Sequence, residues 1–373
     1  MEIIAQYLKY MIETDASDIY FTVGVPPSFR VEGIVTPFAD AQPLTPHDTA
    51  RIANAIMNER QKKKFEEEME MNLALYTPQY GRFRVNIFRQ KSFVGIVVRQ
   101  IKLNIKTIDD WGLPPIFKEI AMTKRGLVLV VGATGCGKST TLASIIDYRN
   151  SNQPGHIITV EDPVEFIHEH KMSIVTQREI GFDTHTIFDA LKNTLRQAPD
   201  VILIGEIRDA ETMEHAITFA ETGHLCLATL HANNANQAFE RILNFFPIER
   251  HLQIYLQLSL NVRAILSQRL IPTMEGKRVA AIEILLDSPR VKDLILKGEI
   301  TLLKETMAAS YFDGMQTFDQ HIFDLYQAGL IDYDNTIAYA DSPNDIRLRI
   351  KMAELKKDEV DKKEPAFKLK SEK

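Results

Sequence analysis

The sequence predicts an α/β protein: an N-terminal α+β domain, then a phosphate-loop nucleotide-binding domain whose C-terminal part is helical. Three observations predict this. A length of 373 residues corresponds to two or three domains at roughly 150 residues each. From residue 126 onward, short all-apolar strands alternate with helical segments, the pattern of a mostly parallel sheet covered on both faces. Between one such strand and one such helix stands GATGCGKS, residues 132–139.

Composition narrows the class. Hydrophobic residues make up 45% and charged residues 25%, enough apolar mass for packed cores, which excludes a wholly disordered chain. With 44 basic and 50 acidic residues the net charge is −6, so the overall basic footprint of a nucleic-acid binder is absent. Two cysteines make no disulfide framework and point to a reducing compartment. The opening MEIIAQYLKYMIETDASD is acidic where a signal peptide would be basic and apolar, so none is expected. No apolar run approaches the ~18 residues of a membrane span.

Ile3, Ile4, Tyr7, Leu8 and Met11 have helical spacing, so residues 1–13 read as an amphipathic helix. Ile19–Val23 and Phe29–Val35 read as strands around Gly24-Val25-Pro26-Pro27. Thr45 reads as an N-cap with Pro46 at the first helical position. The charge run QKKKFEEEME, residues 61–70, reads as a solvated helix face. Phe83–Phe88 and Phe93–Arg99 read as a hairpin. These elements assign residues 1–101 to a first domain and residues 102–115 to a linker.

Residues 116–350 form the second domain in this reading. Its strands are LVLVV, HIITV, VILIG and LCLATL, with a helix after Gly137. From about residue 250 strands are expected to thin out and helices to dominate. Ser342-Pro343-Asn344-Asp345 has the form of a capping box. The charged stretch 351–373 is expected to be a disordered tail, and there is no internal repeat.

The loop Gly132, Ala133, Thr134, Gly135, Cys136, Gly137, Lys138, Ser139, with Thr140 after it, fits G-x-x-x-x-G-K-[ST] without mismatch. Its glycines let backbone N–H groups turn inward around phosphate oxygens, and the positive end of the following helix favours the same anion. Lys138 is placed to reach the β- and γ-phosphates, and Ser139 to hold Mg²⁺. Cys136 within the loop reads as a tolerated residue rather than a redox switch.

Hydrolysis needs a group that orients or deprotonates water beside the terminal phosphate. Glu206, at the carboxyl end of VILIG, is one candidate. Because Gly205-Glu206 stands where Asp is usual, water activation is favoured over direct metal ligation. Glu161-Asp162-Pro163-Val164-Glu165 closes another strand, and its carboxylates repel unless a cation or donors are near. Glu165 therefore competes with Glu206 as the base, and Asp162 is a candidate for holding Mg²⁺ through water. His224 and His231 flank LCLATL at an odd separation of seven, which disfavours a shared metal ion. His231 reads better as a phosphate sensor.

Together, GATGCGKST, ITVEDPVEFIHE, DVILIGEIRDAET and ETGHLCLATLHANNA, in this order, resemble the phosphate loop, Asp box, variant Walker B and His box of the type II/IV secretion ATPases. The likeness runs from about residue 15 to 350, and SDIYFTVGVPPSFRVEGIV is similar to the family's start. The resemblance implies a homo-hexameric ring with an N-terminal PAS-like and a C-terminal RecA-like domain, and ATP bound between domains. It places Glu165 as the Asp-box glutamate, Glu206 as the Walker B glutamate, and His224 and His231 as the His-box pair. It also implies phosphate-facing arginines from the first domain, for which GRFRVNIFR and VVRQI offer Arg84 and Arg99.

Assembly and secretion members carry an N-terminal extension and a four-cysteine zinc insert, which needs Cys pairs. Here the cysteines are Cys136 and Cys226, within the nucleotide core. That points to the retraction branch, the PilT/PilU group. PRVKDLILKGE and the ending ADSPNDIRLRIK resemble PilU-type members. The implied role is an accessory, Mg²⁺-dependent ATPase of pilus retraction in twitching motility, working with a PilT-type retraction ATPase. The implied location is cytoplasmic, at the inner membrane beside the pilus platform protein. An assembly or secretion ATPase, a RecA-like nucleic-acid translocase and an ATP-binding structural ring are the alternatives; the net charge disfavours nucleic acid.

Overall fold

The computed structural model describes residues 2–31, 33–101 and 104–361. The chain forms two compact units. The first gathers the described residues up to Ile105 with Pro163–Glu169 and Gln177–Thr186. The second comprises Lys106–Asp162, His170–Thr176 and the described residues from Ile187 onward.

In the first unit, α1 (Glu2–Glu13) buries the stripe Ile4, Leu8 and Met11. β1 (Asp18–Phe21) follows, then β2 (Ser28–Val31) and β3 (Ile34–Pro37). The single strand expected at Phe29–Val35 is thus two. Gly33, at φ +86°, reverses the chain and pairs Val31 with Ile34. α2 (Pro46–Ile56) opens as the sequence predicts: Thr45 and Asp48 form a reciprocal capping box, with Pro46 in the first turn. α3 (Glu59–Glu68) carries the charge run and buries only Phe65. β4 (Glu70–Thr77) is an addition to the sequence reading; its residues alternate exposed and buried along EMNLALYT. β5 (Gly81–Gln90) and β6 (Phe93–Ile101) form the expected hairpin. The antiparallel sheet runs β3-β2-β1-β6-β5-β4, and Ile4, Phe21, Phe29, Ile52, Phe65 and Phe83 share its core.

The second unit begins with residues expected as a linker, yet Ile108 and Leu113 enter its core. Residues 102 and 103 of that expected linker lie outside the described residues. α4 (Ile116–Ala121), β7 (Gly126–Val131), α5 (Lys138–Asn152) and β8 (Gly155–Glu161) follow in order. Then come β9 (Ser173–Glu179), α6 (Ile187–Thr194), β10 (Val201–Ile204), α7 (Ala210–Glu221), β11 (Leu225–Leu230) and α8 (Ala235–Asn244). The strand order is β7-β11-β10-β8-β9, and two later strands extend the sheet beyond β7. Strands β7, β10 and β11 are buried along their whole length, which is why their sequences are continuously apolar.

Beyond residue 250 the strands do not thin out. α9 (His251–Asn261) leads into β12 (Val262–Pro272) and β13 (Arg278–Leu286), the longest antiparallel pair of this sheet. Arg, Gln and Glu interrupt their apolar runs, so the pattern reads as helical until tertiary pairing is known. The helices expected there follow: α10 (Pro289–Lys297), α11 (Leu303–Ala309), α12 (Phe318–Gln327), α13 (Tyr333–Tyr339) and α14 (Pro343–Asp361). α14 runs through Asp361, so the helix extends into residues 351–361 of the expected tail. Residues 362–373 lie outside the described residues.

Candidate functional site

Parallel pairing brings several strand ends to one edge. Leu230 of β11 pairs with Val131 of β7, Ile204 of β10 with Ala228 of β11, and Ile204 with Val160 of β8. The residues that follow, Gly132, Glu206, His231 and Asp162, therefore collect at the carboxyl end of the sheet, where α/β proteins bind ligands.

The loop itself is shaped for an anion. A side chain at Gly132 would meet Cys136 Sγ and the Gln268 carbonyl, each at 2.5 Å, so the backbone can take its path only as glycine. Gly137, at φ +93°, occupies the N-cap position of α5, and no side chain caps that helix. Its first N–H groups are left for a ligand. Lys138 Nζ donates to the carbonyls of Gly132 at 2.9 Å and Ala133 at 3.0 Å, bridging the loop mouth. Ser139 is half-buried in the first turn of α5, and its hydroxyl makes no hydrogen bond among the described residues. Thr140 follows it, half-buried, while Thr134 and Gly135 are exposed. Cys136 is buried, and burial pushes its thiol up against the opposing charge of Lys138.

Two cavities flank the loop. One of about 390 Å³ lies between Gly132, Ala133, His231, Asn233, Gln237 and Arg241. The other, about 620 Å³, is bounded by Thr134, Gly135, Arg269, Arg278 and Tyr339. Ala133 of the loop lines both cavities.

Glu206 is tied to two side-chain neighbours. His231 Nε2 lies 3.1 Å from its Oε1, and Arg208 Nε donates to its Oε2 at 2.7 Å. Arg208 also reaches toward Asp162, 3.8 Å away. The backbone beneath Glu206 is pinned to β11: the Thr229 hydroxyl donates to the Gly205 carbonyl at 2.5 Å, and Ile207 N–H to the Thr229 carbonyl at 2.9 Å. Burial, then the charge of Lys138, hold the His231 imidazole below its usual pKa. Arg208 and Gln268 were not singled out in the sequence. Arg208 stands two residues after Glu206, a spacing that could have suggested the pair; nothing in the sequence marks Gln268.

The structure does not bring His224 to this edge. It precedes β11, roughly 20 Å from the loop at 3.3 Å per strand residue, and its Nδ1 meets the Thr222 hydroxyl and the Phe219 carbonyl. Among the described residues, no three His, Cys, Asp or Glu side chains gather as a metal cage. The acidic run after β8 is divided accordingly: Asp162 belongs to the second unit, and Glu165, exposed, to the first.

Arg84 and Arg99 face each other across the β5–β6 ladder of the first unit. Arg99 Nε donates to Asp18 at 2.8 Å. Arg84 and Arg82 favour the charged form of buried Glu179, whose carboxyl burial otherwise pushes up. Glu179 also accepts weakly from Val164 N–H at 3.4 Å, next to Glu165.

Residues 1–295 match the sequence profile of the family described as "Type II/IV secretion system protein". The type IV pilus ATPase PilU of Pseudomonas aeruginosa is 56% identical over 346 residues, covering 92% of this chain and 90% of its own. The type IV pilus retraction ATPase PilT of the same organism is 39% identical, covering 91% and 98%. A crystal structure of the pilus retraction motor PilT with bound ADP superposes with a TM-score of 0.85 at 40% identity, over 91% of this chain and 97% of that one.

Proposed function

This chain belongs to the type II/IV secretion system protein family, and on that premise we propose that it works as an ATP-hydrolysing motor assisting type IV pilus retraction. It is an accessory ATPase of the PilU type, dependent on a PilT-type partner, in twitching motility. The higher identity to PilU than to PilT, 56% against 39%, supports that branch.

The observation that carries the reading is the uncapped start of α5 with Lys138 bridging the loop, set beside the Glu206–His231 pair. Backbone N–H groups of the loop and Lys138 bind the phosphates of ATP. Ser139, in the first turn of α5, is the residue that would hold Mg²⁺ through its hydroxyl. Bound there, the metal supplies charge neutralisation of the phosphates. Asp162 lies at the same edge and is a candidate to act through water. Glu206 orients the attacking water and accepts its proton, and His231 holds Glu206 and the terminal phosphate side in place. Glu165, Arg84 and Arg99 serve from the first unit, the arginines by stabilising charge on the transferring phosphoryl group.

The antiparallel first unit is read as PAS-like and the parallel-sheet second unit as RecA-like. Assembly is a homo-hexamer. On α9 and the turn before it, Ile248, Leu252, Leu256 and Leu260 repeat every fourth residue and are 46–80% exposed, an apolar stripe that favours assembly. No described helix is long and apolar enough to cross a membrane. The ring works at the cytoplasmic face of the inner membrane, against the pilus platform protein.

Mg²⁺-dependent ATP turnover of the full chain, alone and with the PilT-type partner, run beside Glu206→Gln, tests the reading. The variant should bind ATP and lose about 10²-fold or more in turnover. Unchanged turnover in Glu206→Gln removes Glu206 from the mechanism.

A further inference from the structure

Glu283 is 2% exposed, and the mechanism above leaves it unused. It stands on β13 directly opposite Ser267 of β12. One oxygen, Oε1, accepts from the Ser267 hydroxyl at 2.8 Å and from the backbone N–H of Ala235 at 2.8 Å. Ala235 is the first residue of α8. A carboxylate on that N–H satisfies a donor the helix cannot and meets its positive end. Burial pushes the Glu283 carboxyl up, opposed by these same two donors.

The tether matters because of what it is tied to. Only the residues His231–Asn234 connect β11 to α8. At one end Leu230 is locked in register with Val131. At the other, Ala235 is held by Glu283, and the Asn234 side chain caps the helix on Gln237 N–H at 2.9 Å. His231 is the first residue of a short link fixed at both ends. The next residue on β12, Gln268, turns to the other face, as strand alternation requires. There it accepts from the Thr141 hydroxyl of α5 at 2.8 Å and lies against Gly132 and Gly137. Adjacent residues of one strand thus brace the phosphate loop on one face and the start of α8 on the other.

We propose that Glu283 is a positioning residue for ATP hydrolysis: by anchoring the first turn of α8 to Ser267, it holds His231 against Glu206. The inference rests on the role given to His231 above. Without the carboxylate the link is loose at one end, and His231 leaves the geometry the water step needs, while the loop that binds phosphate keeps its own bracing.

The test uses the full chain with the PilT-type partner present. Glu283→Ala should lower kcat about 10-fold, in line with the cost of small misplacements, and leave the KM for ATP within about twofold. Glu283→Gln keeps an acceptor oxygen and should restore most of kcat. In a His231→Ala background Glu283→Ala should add nothing, since both act on one step. Hydrogen exchange should speed up over residues 232–238 in Glu283→Ala and stay unchanged across the phosphate loop. Exchange that does not change, losses that add to those of His231→Ala, or a KM that rises with the fall in kcat overturn the proposal. If Glu283→Ala fails to fold, Ser267→Ala replaces it, removing one hydrogen bond. It should cost about threefold in kcat and nothing in the His231→Ala background; equal costs in both overturn the proposal. Wild-type turnover in His231→Ala defeats the site reading itself. Impaired His231→Ala beside unimpaired Glu283→Ala defeats only this inference.

Discussion

His231 Nε2 lies 3.1 Å from Glu206 Oε1, joining the ends of two adjacent parallel strands. Burial and the charge of Lys138 depress the imidazole pKa, so at pH 7 the contact is a hydrogen bond from Nε2–H to the carboxylate, with Nδ1 left as an acceptor. Wild-type turnover should therefore hold from about pH 8 to pH 7 and decline below about pH 6.5, as the imidazole gains a proton and Glu206 becomes the partner of a cation. His231→Ala should be slower and lack this acid limb. Superimposable pH–rate profiles for the two proteins would remove His231 from the step.

Steric demand in the loop separates two glycines that look alike in the sequence. A Cβ at Gly132 would meet Cys136 Sγ and a backbone carbonyl at 2.5 Å, whereas one at Gly135 meets nothing within 4 Å. Gly135→Ala carries only the cost of its positive φ, about 1–2 kcal/mol. Gly132→Ala must also move the loop and should weaken ATP binding by more than 10-fold relative to Gly135→Ala. Adding Cys136→Ala should not restore it, because the Gln268 carbonyl remains. Equal ATP affinity in the two glycine variants, by titration calorimetry, would contradict this geometry.

The first-unit arginines lend themselves to a mixing experiment. Lys138→Ala leaves the phosphate charge unmet and should abolish turnover, and Arg84→Ala should cripple it. If a neighbouring subunit supplies the arginine, random mixing of the two variants leaves about a quarter of sites intact in a head-to-tail ring. Partial recovery of turnover on mixing is the expected result. No recovery, with mixing verified by subunit exchange, would place both residues in one chain's site.

His321 makes stability depend on pH. Its Nδ1 accepts from Ile282 N–H at 2.9 Å, which requires an unprotonated nitrogen, and burial lowers its pKa in the fold. The unfolded chain, with a histidine pKa of about 6.5, takes up the proton first. Stability is therefore complete above the unfolded pKa and falls as pH drops through it toward the folded value. Denaturant midpoints should decrease between about pH 7.5 and pH 5.5. In His321→Asn, which offers an acceptor that does not titrate, the decrease should be smaller. A slope unchanged by the substitution would exclude His321 as its source.

Elements whose signal is local can be read from the residues alone. The phosphate loop is legible because glycine spacing, lysine and helix start are contiguous. The Thr45–Asp48 capping box, the helix of Ile4, Leu8 and Met11, and the buried strands of the second unit carry their own periodicity. Glu206 and His231 were legible as strand-end residues, though not as partners. What depends on pairing across the sheet emerged with the folded arrangement of the strands. Parallel register joined Glu206 to His231 and left His224 at the far end of β11. Asp162 and Glu165 fall in different compact units, and antiparallel pairing made β12 and β13 strands where mixed polarity reads as helix. Gln268 and Glu283 carry no motif at all; their meaning comes from strands that bring distant residues within hydrogen-bond reach. Hydrophobic periodicity reports which face of an element is buried, whereas register, which decides what each buried polar group meets, is fixed only when the strands align.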